Sequence, residues 1–207
     1  MHFVLVHGWG FHAGIFADLF PHLQGTEVTL IDLGFVGGGP KGASDWPDDA
    51  VAVGHSLGLL WLLEQAFGRY KGLVSIQGFD CFSCHVAPSR LAALKRGIER
   101  EPGGTLKAFW RSCGAAGFAL PEALNAKRLD EGLDWLMTWD ARKAREALTC
   151  PVLALASRDD VIVPPSMSEA IWGEEIVWSP DGGHVLPLRH PEWCARHVFE
   201  FAHALPS

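Results

Sequence analysis

Along most of the chain, short runs of apolar residues alternate with longer segments in which apolar residues recur at helical spacing. The apolar runs predict strands at His2–Val6, Val28–Ile31, Ala50–Val53, Leu73–Ile76, Val152–Ala156 and Ile176–Trp178. The helical segments predict helices at Ala13–Leu23, Leu57–Phe67, Pro165–Ile171 and Glu192–Ala204. Continuously apolar strands are typical of a sheet buried on both faces by helices. The pattern therefore predicts an α/β fold with a mostly parallel, doubly wound sheet of about six strands.

Two regions break this alternation. The segment 34–49 is rich in Gly, Pro and Asp, and it is too short and too broken for a full crossover helix. The segment 81–149 has no strand pattern and predicts several helices, among them Pro88–Glu101 and Thr105–Ala115. We therefore expect a core made of residues 1–80 and 150–207, with a helical lid inserted at 81–149.

Length and composition narrow the class of protein. A chain of 207 residues suits one domain, and its net charge of −7 gives no reason to expect nucleic-acid binding. The first residues lack the basic and long apolar stretches of a targeting segment, and no apolar run approaches the roughly 18 residues of a membrane span. Five cysteines without a secretory signal predict reduced thiols. We therefore expect a cytoplasmic protein that binds neither nucleic acid nor membranes.

One serine stands where a predicted strand becomes a helix. It lies in Gly54-His55-Ser56-Leu57-Gly58, after an apolar run and before a run of good helix formers. Gly-x-Ser-x-Gly in this context is the nucleophile elbow, a sharp turn that exposes the serine Oγ. Side chains at 54 and 58 would collide with neighbouring backbone, which explains the two glycines. The context predicts that Ser56 is a nucleophile.

A serine nucleophile needs a base and an orienting carboxylate, which follow it in the order acid, then histidine, in this architecture. Asp160 lies in the loop after the predicted strand Val152–Ala156, and His184 lies in the loop after Ile176–Trp178. Both loops fall at the sheet edge where open α/β folds bind ligands. We predict Asp160 as the acid and His184 as the base, with Asp159 as the rival for the acid.

The oxyanion that forms when a carbonyl is attacked needs two backbone donors. Leu57 begins the helix after the elbow, so its N–H points at the site with the positive end of the helix dipole. The loop His7-Gly8-Trp9-Gly10 follows the first predicted strand, and its glycines allow a close approach of the backbone. We predict the N–H groups of Trp9 and Leu57 as the oxyanion hole. This chemistry requires no cofactor and no metal.

Further motifs give a closer resemblance. The chain resembles the α/β-hydrolases, and within them the pimeloyl-[acyl-carrier protein] methyl ester esterase family of biotin synthesis. The matching segments are HGWG, GHSLG, Asp160–Pro164, Gly78–Ser83, Leu129–Pro164 and Gly182–Cys194. The resemblance implies hydrolysis of the methyl ester of a pimeloyl group carried on acyl-carrier protein, releasing methanol. It also implies that Ser56, His184 and Asp160 act as nucleophile, base and orienting acid.

The inserted region offers candidates for the acyl pocket and for a partner surface. Its aromatic side chains could wall an apolar pocket, although each alone is more typical of helix packing: Phe109, Trp110, Phe118, Trp135 and Trp139. Between His85 and Thr149 there are eleven Lys and Arg against eight Asp and Glu, although the whole chain is acidic. Such a basic surface could attract an acidic acyl-carrier protein, or it could be an ordinary solvated helix surface.

Other functions stay open. The nearest is a general short-chain carboxylesterase or thioesterase without a carrier-protein partner, and a more distant one is a catalytically idle ligand-binding protein of the same fold. Cys81-Phe82-Ser83-Cys84-His85 has the spacing of a haem-attachment motif, and its thiols suggest redox work or half of a zinc site. No second Cys/His pair has ligand spacing, so we expect a segment at the lid entry instead.

Overall fold

The structure, a computed structural model, describes residues 1–23, 25–37, 46–118 and 123–206. Its centre is a sheet whose strands are β1 (His2–Val6), β2 (Glu27–Ile31), β3 (Val51–His55), β4 (Gly72–Ile76), β5 (Val152–Ser157) and β6 (Ile176–Ser179). Their order across the sheet is β2-β1-β3-β4-β5-β6, and each neighbouring pair is parallel. Each predicted strand is present, with bounds that differ by at most two residues. The predicted α/β class and parallel sheet are confirmed.

The middle of the sheet is its most buried part. All five residues of β3 and all five of β4 are buried, because each strand has a neighbour on both sides and apolar packing on both faces. The edge strands β2 and β6 are only partly buried. Since parallel strands all end at the same edge, the loops after β1, β3, β5 and β6 meet there. That edge holds the predicted site residues.

Helices pack around the sheet, and four of them lie between β4 and β5 in chain order. They are α1 (Leu57–Gln65), α2 (Pro88–Arg100), α3 (Pro102–Cys113), α4 (Ala126–Thr138), α5 (Arg142–Glu146), α6 (Pro165–Trp172), α7 (Leu186–Arg189) and α8 (Pro191–Ala204). Four of them begin at a proline, whose missing N–H costs nothing at the first helical position. Helices α2–α5 fall in residues 81–149, which we call the insert. None of the helices in the described ranges is both long and apolar enough to cross a membrane.

The predicted helix Ala13–Leu23 is wrong as a single α-helix. The chain instead forms two short 3-10 turns, Ala13–Phe16 and Phe20–His22. Pro21 lacks an N–H and restricts the residue before it, so a continuous α-helix cannot pass through this point. The prediction for the crossover 34–49 falls partly on residues 38–45, which lie outside the described residues.

The expectation of reduced thiols is wrong for one pair of cysteines. Cys81 and Cys84 form a disulfide, whereas Cys113, Cys150 and Cys194 are free. The turn after β4 brings the Cα atoms of Cys81 and Cys84 to 5.5 Å, within the range that a disulfide spans. The odd cysteine count reflected three unpaired thiols beside one bonded pair, which composition alone could not separate.

Candidate active site

Ser56 sits on a strained turn between β3 and α1. Its φ of 54° and ψ of −123° lie outside the regions that non-glycine residues favour. A Cβ at Gly54 would lie 2.5 Å from the Leu59 Cα, and one at Gly58 would overlap the Val6 carbonyl. The predicted need for both glycines is thereby confirmed. The turn aims the Ser56 side chain at the strand ends.

Ser56, His184 and Asp160 form a hydrogen-bonded relay. The Ser56 Oγ lies 2.9 Å from His184 Nε2, and His184 Nδ1 lies 2.8 Å from Asp160 Oδ2. The His184 and Asp160 side chains are each only 1% exposed. With Nδ1 protonated toward the carboxylate, Nε2 is left to accept the serine proton. The structure thus brings together the three residues predicted as nucleophile, base and acid.

Asp160 and Asp159 face different groups. The Asp160 Oδ1 accepts the N–H groups of Ile162 and Val163, at 2.8 and 3.0 Å, so Oδ2 is left to face His184. The Asp159 Oδ1 instead accepts the Ser157 hydroxyl and the Gly183 N–H. Burial would raise the pKa of Asp159, but these hydrogen bonds outweigh it and lower the pKa. The structure therefore gives the rival acid a different role, that of holding the loop which carries His184.

Gln77 was not predicted from the sequence, and it lies against this relay. It directly follows β4, is buried, and has a φ of 53°. Its amide Nε2 donates to Asp160 Oδ2 at 2.9 Å and also to the Gly183 carbonyl, while its Oε1 accepts the Leu186 N–H at 3.1 Å. A polar amide directly after a strand that is apolar apart from Ser75 was the available sequence signal, but its partners are remote in sequence.

The loop after β1 approaches the elbow closely. A Cβ on Gly8 would stand 2.8 Å from the Ser56 Cβ, so only glycine leaves room for the serine. His7 fixes this loop, because its Nδ1–H donates to the Gly8 carbonyl and its Nε2 accepts the Leu33 N–H. Trp9 follows, and its indole N–H donates to the Leu129 carbonyl in α4. Trp9 directly follows Gly8, which is in close contact with Ser56, and Leu57, the first residue of α1, directly follows Ser56.

His55 lies beneath the elbow and is fully buried. Its Nε2–H donates to the His184 carbonyl at 2.9 Å, and its ring centroid lies 5.2 Å from that of His184. Burial lowers its pKa well below the usual value for histidine, and the neighbouring charge of His184 lowers it further. His55 is therefore neutral at neutral pH, and it supports the His184 backbone without competing for a proton.

A groove of about 680 Å³ opens beside the site. Helices α2 and α3 wall it, and Val161 and Ile162, which follow Asp160, close one side. Its surface is mainly apolar, apart from Arg90, Thr105 and Ser112. Phe109 lines the groove and also packs on Trp9, with ring centroids 4.9 Å apart. Of the five aromatic residues predicted for an acyl pocket, Phe109 is the one that lines this groove.

Two more of the predicted pocket aromatics pack behind α3. Trp110 is buried, and its indole N–H donates to the Gly10 carbonyl at 3.0 Å. Phe118 packs against Phe11 and Trp110, with ring centroids 5.4 and 5.2 Å apart. These rings pack the insert against the loop after β1, so they help to hold that loop in position.

The remaining pair stacks on α4. Trp135 and Trp139 have ring centroids 4.7 Å apart and nearly parallel planes. The Arg128 guanidinium lies 4.5 Å from the Trp135 ring, and its Nε–H donates to the Leu33 carbonyl. Trp135 also contacts Phe35 in the loop after β2. This pair therefore anchors α4 to the core and is not among the residues that line the groove.

Most cations of the insert fall into two groups. One group is paired with acidic side chains: Lys95 with Asp130 and Asp134, Arg128 with Glu131, Arg142 with Asp140, and Arg145 with the buried Asp80. A second group lies exposed on the two groove helices and makes no salt bridge within the described part of the chain: Arg90, Arg96, Arg100, Lys107 and Arg111. Five of the seven insert cations without a salt bridge in the described part of the chain therefore lie on the helices that wall the groove, and the other two, Lys127 and Lys143, lie exposed on α4 and α5.

One cluster of possible metal ligands lies at the start of the insert. The ligand atoms of Cys81, Cys84 and Asp140 lie within 4.8 Å of one another. In the structure the two sulfurs are bonded to each other, and a disulfide offers no thiolate to a metal. The Asp140 carboxylate is also held by Arg142, at 2.6 and 2.8 Å. The observed arrangement does not make a metal centre.

The chain is similar in sequence to curated proteins named pimeloyl-[acyl-carrier protein] methyl ester esterase. One from Citrobacter koseri is 30% identical over 233 residues, covering 93% of this chain and 91% of that protein. Another, from Methylococcus capsulatus, is 30% identical over 239 residues, covering 96% and 93%. No protein-family model matches the chain.

Solved structures share the fold. A bromoperoxidase from Bacillus anthracis superposes with a TM-score of 0.79 at 17% identity, covering 98% of this chain and 91% of that one. An esterase from Exiguobacterium antarcticum superposes with a TM-score of 0.78 at 15% identity, covering 99% and 92%. These likenesses show the α/β-hydrolase fold, and the sequence relatives narrow the assignment. The chain belongs to the pimeloyl-[acyl-carrier protein] methyl ester esterase family of α/β-hydrolases.

Proposed function

We propose that this protein is a serine esterase that hydrolyses an acyl methyl ester, and that its substrate is the pimeloyl-[acyl-carrier protein] methyl ester of biotin synthesis. The observation that carries the esterase chemistry is the relay from Ser56 through His184 to Asp160, with distances of 2.9 and 2.8 Å. The family membership supports the substrate. A carrier-protein substrate must share a compartment with the enzyme, so the proposal retains a cytoplasmic location.

In the first half-reaction, the Ser56 Oγ attacks the ester carbonyl carbon while His184 Nε2 takes the serine proton. Asp160 holds the imidazole in the required tautomer and stabilises the imidazolium. The N–H groups of Trp9 and Leu57 are the proposed donors to the carbonyl oxygen as it becomes negative; one such donor contributes a factor of about 10²–10³ in kcat. When the tetrahedral intermediate collapses, His184 returns the proton to the leaving oxygen and methanol departs.

In the second half-reaction, water attacks the acyl group now bonded to Ser56. His184 Nε2 removes a proton from that water, and a second tetrahedral intermediate forms in the same oxyanion site. Its collapse breaks the bond to the Ser56 Oγ, which regains its proton from the imidazolium. The product is a carboxylic acid at the end that was methylated, and it becomes a carboxylate by releasing its proton to solvent. The enzyme returns to its starting state with every proton accounted for.

The insert is the proposed lid, and the groove between α2 and α3 is the proposed acyl site. An apolar groove beside Asp160 suits the methylene chain of an acyl group, because each buried methylene contributes about 0.8 kcal/mol. Phe109 joins the groove to the loop that carries Trp9, so a chain lying there can present its ester to Ser56. The carrier protein would then stand at the groove mouth.

The unpaired cations on α2 and α3 are the proposed docking surface. They border the groove, whereas Arg142 and Arg145 are engaged with acidic groups of the chain itself. Attraction between opposite charges speeds association, and salt screens it with a Debye length of about 8 Å at physiological ionic strength. The docking proposal therefore predicts a salt-dependent reaction with the carrier substrate.

The chemistry is tested with Ser56→Ala. Losing the nucleophile of a comparable triad lowers kcat by up to about 10⁶, so the variant should lose ester hydrolysis while keeping its thermal midpoint. A serine-directed phosphonate should label the wild type once, at Ser56, and leave the variant unlabelled. Near-normal turnover by the variant would show that the proposed mechanism is wrong.

The substrate is tested by measuring methanol release from methyl-pimeloyl carrier protein and from a small free methyl ester. The carrier substrate should have the higher kcat/KM, and added salt should lower that advantage. Charge reversal at Arg96 and Arg100 should act like salt for the carrier substrate alone, whereas Arg196→Glu on α8, outside the insert, serves as the control. Equal salt dependence for both substrates, with no effect of the reversal, would favour a general carboxylesterase or thioesterase without a carrier partner.

A further inference from the structure

Gln77 occupies a backbone position that a glutamine adopts only at a cost. It comes directly after β4, with a φ of 53° in the left-handed region, and its side chain is buried. Its own N–H donates to the Leu155 carbonyl in β5, at 2.8 Å. A strained, buried polar residue at the sheet edge that carries the relay requires a compensating role.

The Gln77 side chain makes three hydrogen bonds, all to the elements that carry the relay. One amide N–H donates to Asp160 Oδ2 in the loop after β5, and the other donates to the Gly183 carbonyl, next to His184. The Oε1 accepts the Leu186 N–H, where α7 begins. One side chain therefore joins the acid loop, the histidine loop and the helix after it.

We propose that Gln77 is a positioning residue, which holds Asp160 and the His184 loop in the register that catalysis needs. Asp160 Oδ2 accepts both from His184 Nδ1 and from Gln77 Nε2, at 2.8 and 2.9 Å. The amide fixes the direction of that oxygen, and it offsets part of the negative charge that the imidazole experiences. This inference rests on the catalytic roles of Ser56, His184 and Asp160 proposed above.

The other titratable groups around the relay do not duplicate this contact. His55 reaches only the His184 carbonyl, and Asp159 binds Ser157 and Gly183. Cys113 presents its backbone carbonyl to the His184 N–H, while burial, aided by the charge of Asp160, raises the pKa of its thiol. Among the described residues, the side-chain donors recorded on Asp160 are therefore His184 and Gln77.

Two substitutions remove the contact in different ways. Gln77→Asn keeps a buried amide, tolerates a positive φ well, and is one methylene too short to reach Asp160. Gln77→Met keeps the length and removes every hydrogen bond. Both should lower kcat by about 10²-fold, as a misplaced catalytic group does, with KM unchanged because Gln77 is not among the groove-lining residues.

The pH profile separates positioning from simple structural support. Without the amide N–H, the full charge of Oδ2 acts on the imidazolium, so the acid limb of kcat/KM should move to higher pH by roughly half a unit in both variants. Ser75→Ala is the matched control, because Ser75 is a buried polar residue of β4 whose Oγ accepts the Gly78 N–H and does not touch the relay. Its profile should coincide with that of the wild type.

The experiment measures kcat, KM, the pH profile and the phosphonate-titrated fraction of active sites for the wild type, both Gln77 variants and the control. Either wild-type kinetics in the variants, or a loss of kcat explained by fewer active sites with an unmoved acid limb, overturns the inference. If one variant fails to fold, the other decides the outcome. Loss of activity in Ser56→Ala beside unchanged Gln77 variants would remove this inference alone, whereas an active Ser56→Ala would remove the proposed function.

Discussion

Helices α3 and α2 wall the same groove, but they are attached to the molecule differently. Helix α3 bonds to the loops of the site, since the Trp110 indole donates to the Gly10 carbonyl and the Cys113 carbonyl accepts the His184 N–H. Helix α2 buries Leu91 and Ile98, and its recorded side-chain ion pairs run from Lys95 to α4. Helix α3 is therefore hydrogen-bonded to the loops of the site, whereas α2 is held by packing and by ion pairs to α4.

We therefore expect substitutions on α3 and on α2 to have different effects on catalysis. Changes on α3 alter the placement of the reacting groups, because the His184 backbone is bonded to the end of that helix. Changes on α2 should alter the space and the charge that a substrate meets, since no hydrogen bond joins α2 to a relay residue in the described part of the chain. The chemistry should therefore be sensitive to α3 and to the loops it contacts, while substrate preference should be sensitive to α2.

The largest effect is expected from a change within the relay itself. Asp160→Asn removes the carboxylate that orients and stabilises the imidazole of His184, and the equivalent change in a serine protease lowers kcat by about 10⁴. Asp159→Asn, its neighbour, should lower kcat only slightly, because Asp159 contacts Ser157 and Gly183 instead. Steady-state kinetics on a small ester would measure both, and the reverse ranking would move the acid to Asp159.

The next largest effect should follow from loosening α3. Trp110→Ala removes a buried indole and its bond to Gly10, so the free energy of unfolding should fall by about 3–5 kcal/mol, and kcat should fall with it. Denaturant titration and kinetics on the same sample measure the two losses. Leu91→Ala, the matched large-to-small change on α2, should lower stability but leave kcat for a small ester intact. Equal losses of kcat in both variants would contradict the expected difference between α3 and α2.

A smaller effect is expected from filling the groove on the α2 side. Ala93 lines the groove, so Ala93→Trp should lower kcat/KM for a long acyl ester by about tenfold and leave a short ester unaffected. Glu99→Trp adds the same ring to α2 at a position that is not among the groove-lining residues, and it serves as the control. Equal kinetics for long and short esters in Ala93→Trp would place the acyl chain elsewhere.

The smallest effect concerns protonation of the buried His55 side chain. The pKa of His55 is lowered by burial, so below about pH 6.5 the unfolded chain binds a proton that the folded chain does not. The free energy of unfolding should therefore fall as the pH drops, by up to about 1.4 kcal/mol per pH unit. His55→Gln should flatten that slope, whereas His85→Gln, at an exposed position of the insert, should leave it unchanged. Parallel slopes in all three proteins would show that His55 is not responsible.

The elements that the sequence predicted well are those with local causes. An apolar run such as Val51–Val53 predicts a buried strand wherever it pairs. The glycines at 54 and 58 indicate a tight turn, because any side chain there would collide with neighbouring backbone. The positions of Asp160 and His184 followed from strand ends, which parallel pairing brings to one edge. In these cases a short segment contains the physical reason for its own structure.

The elements that the sequence did not predict depend on remote contacts. Gln77 meets Asp160 and Leu186, which are 83 and 109 residues further along the chain. Trp110 resembles a pocket aromatic in sequence, but its indole finds a carbonyl in the loop after β1 and it packs there instead. The bond between Cys81 and Cys84 depends on a turn geometry that composition does not report.

The hydrogen bond from the His184 N–H to the Cys113 carbonyl has a consequence for folding. It requires β5 and β6 to be in place and α3 to have docked, and β4 can pair with β5 only after the insert has been looped out between them. Such non-local pairings form late, because loop-closure entropy opposes them until the surrounding contacts exist. During refolding, the return of catalytic turnover should therefore lag behind the return of helical signal. We therefore expect a newly made chain to have no catalytic activity until β6, the last strand, has joined the sheet.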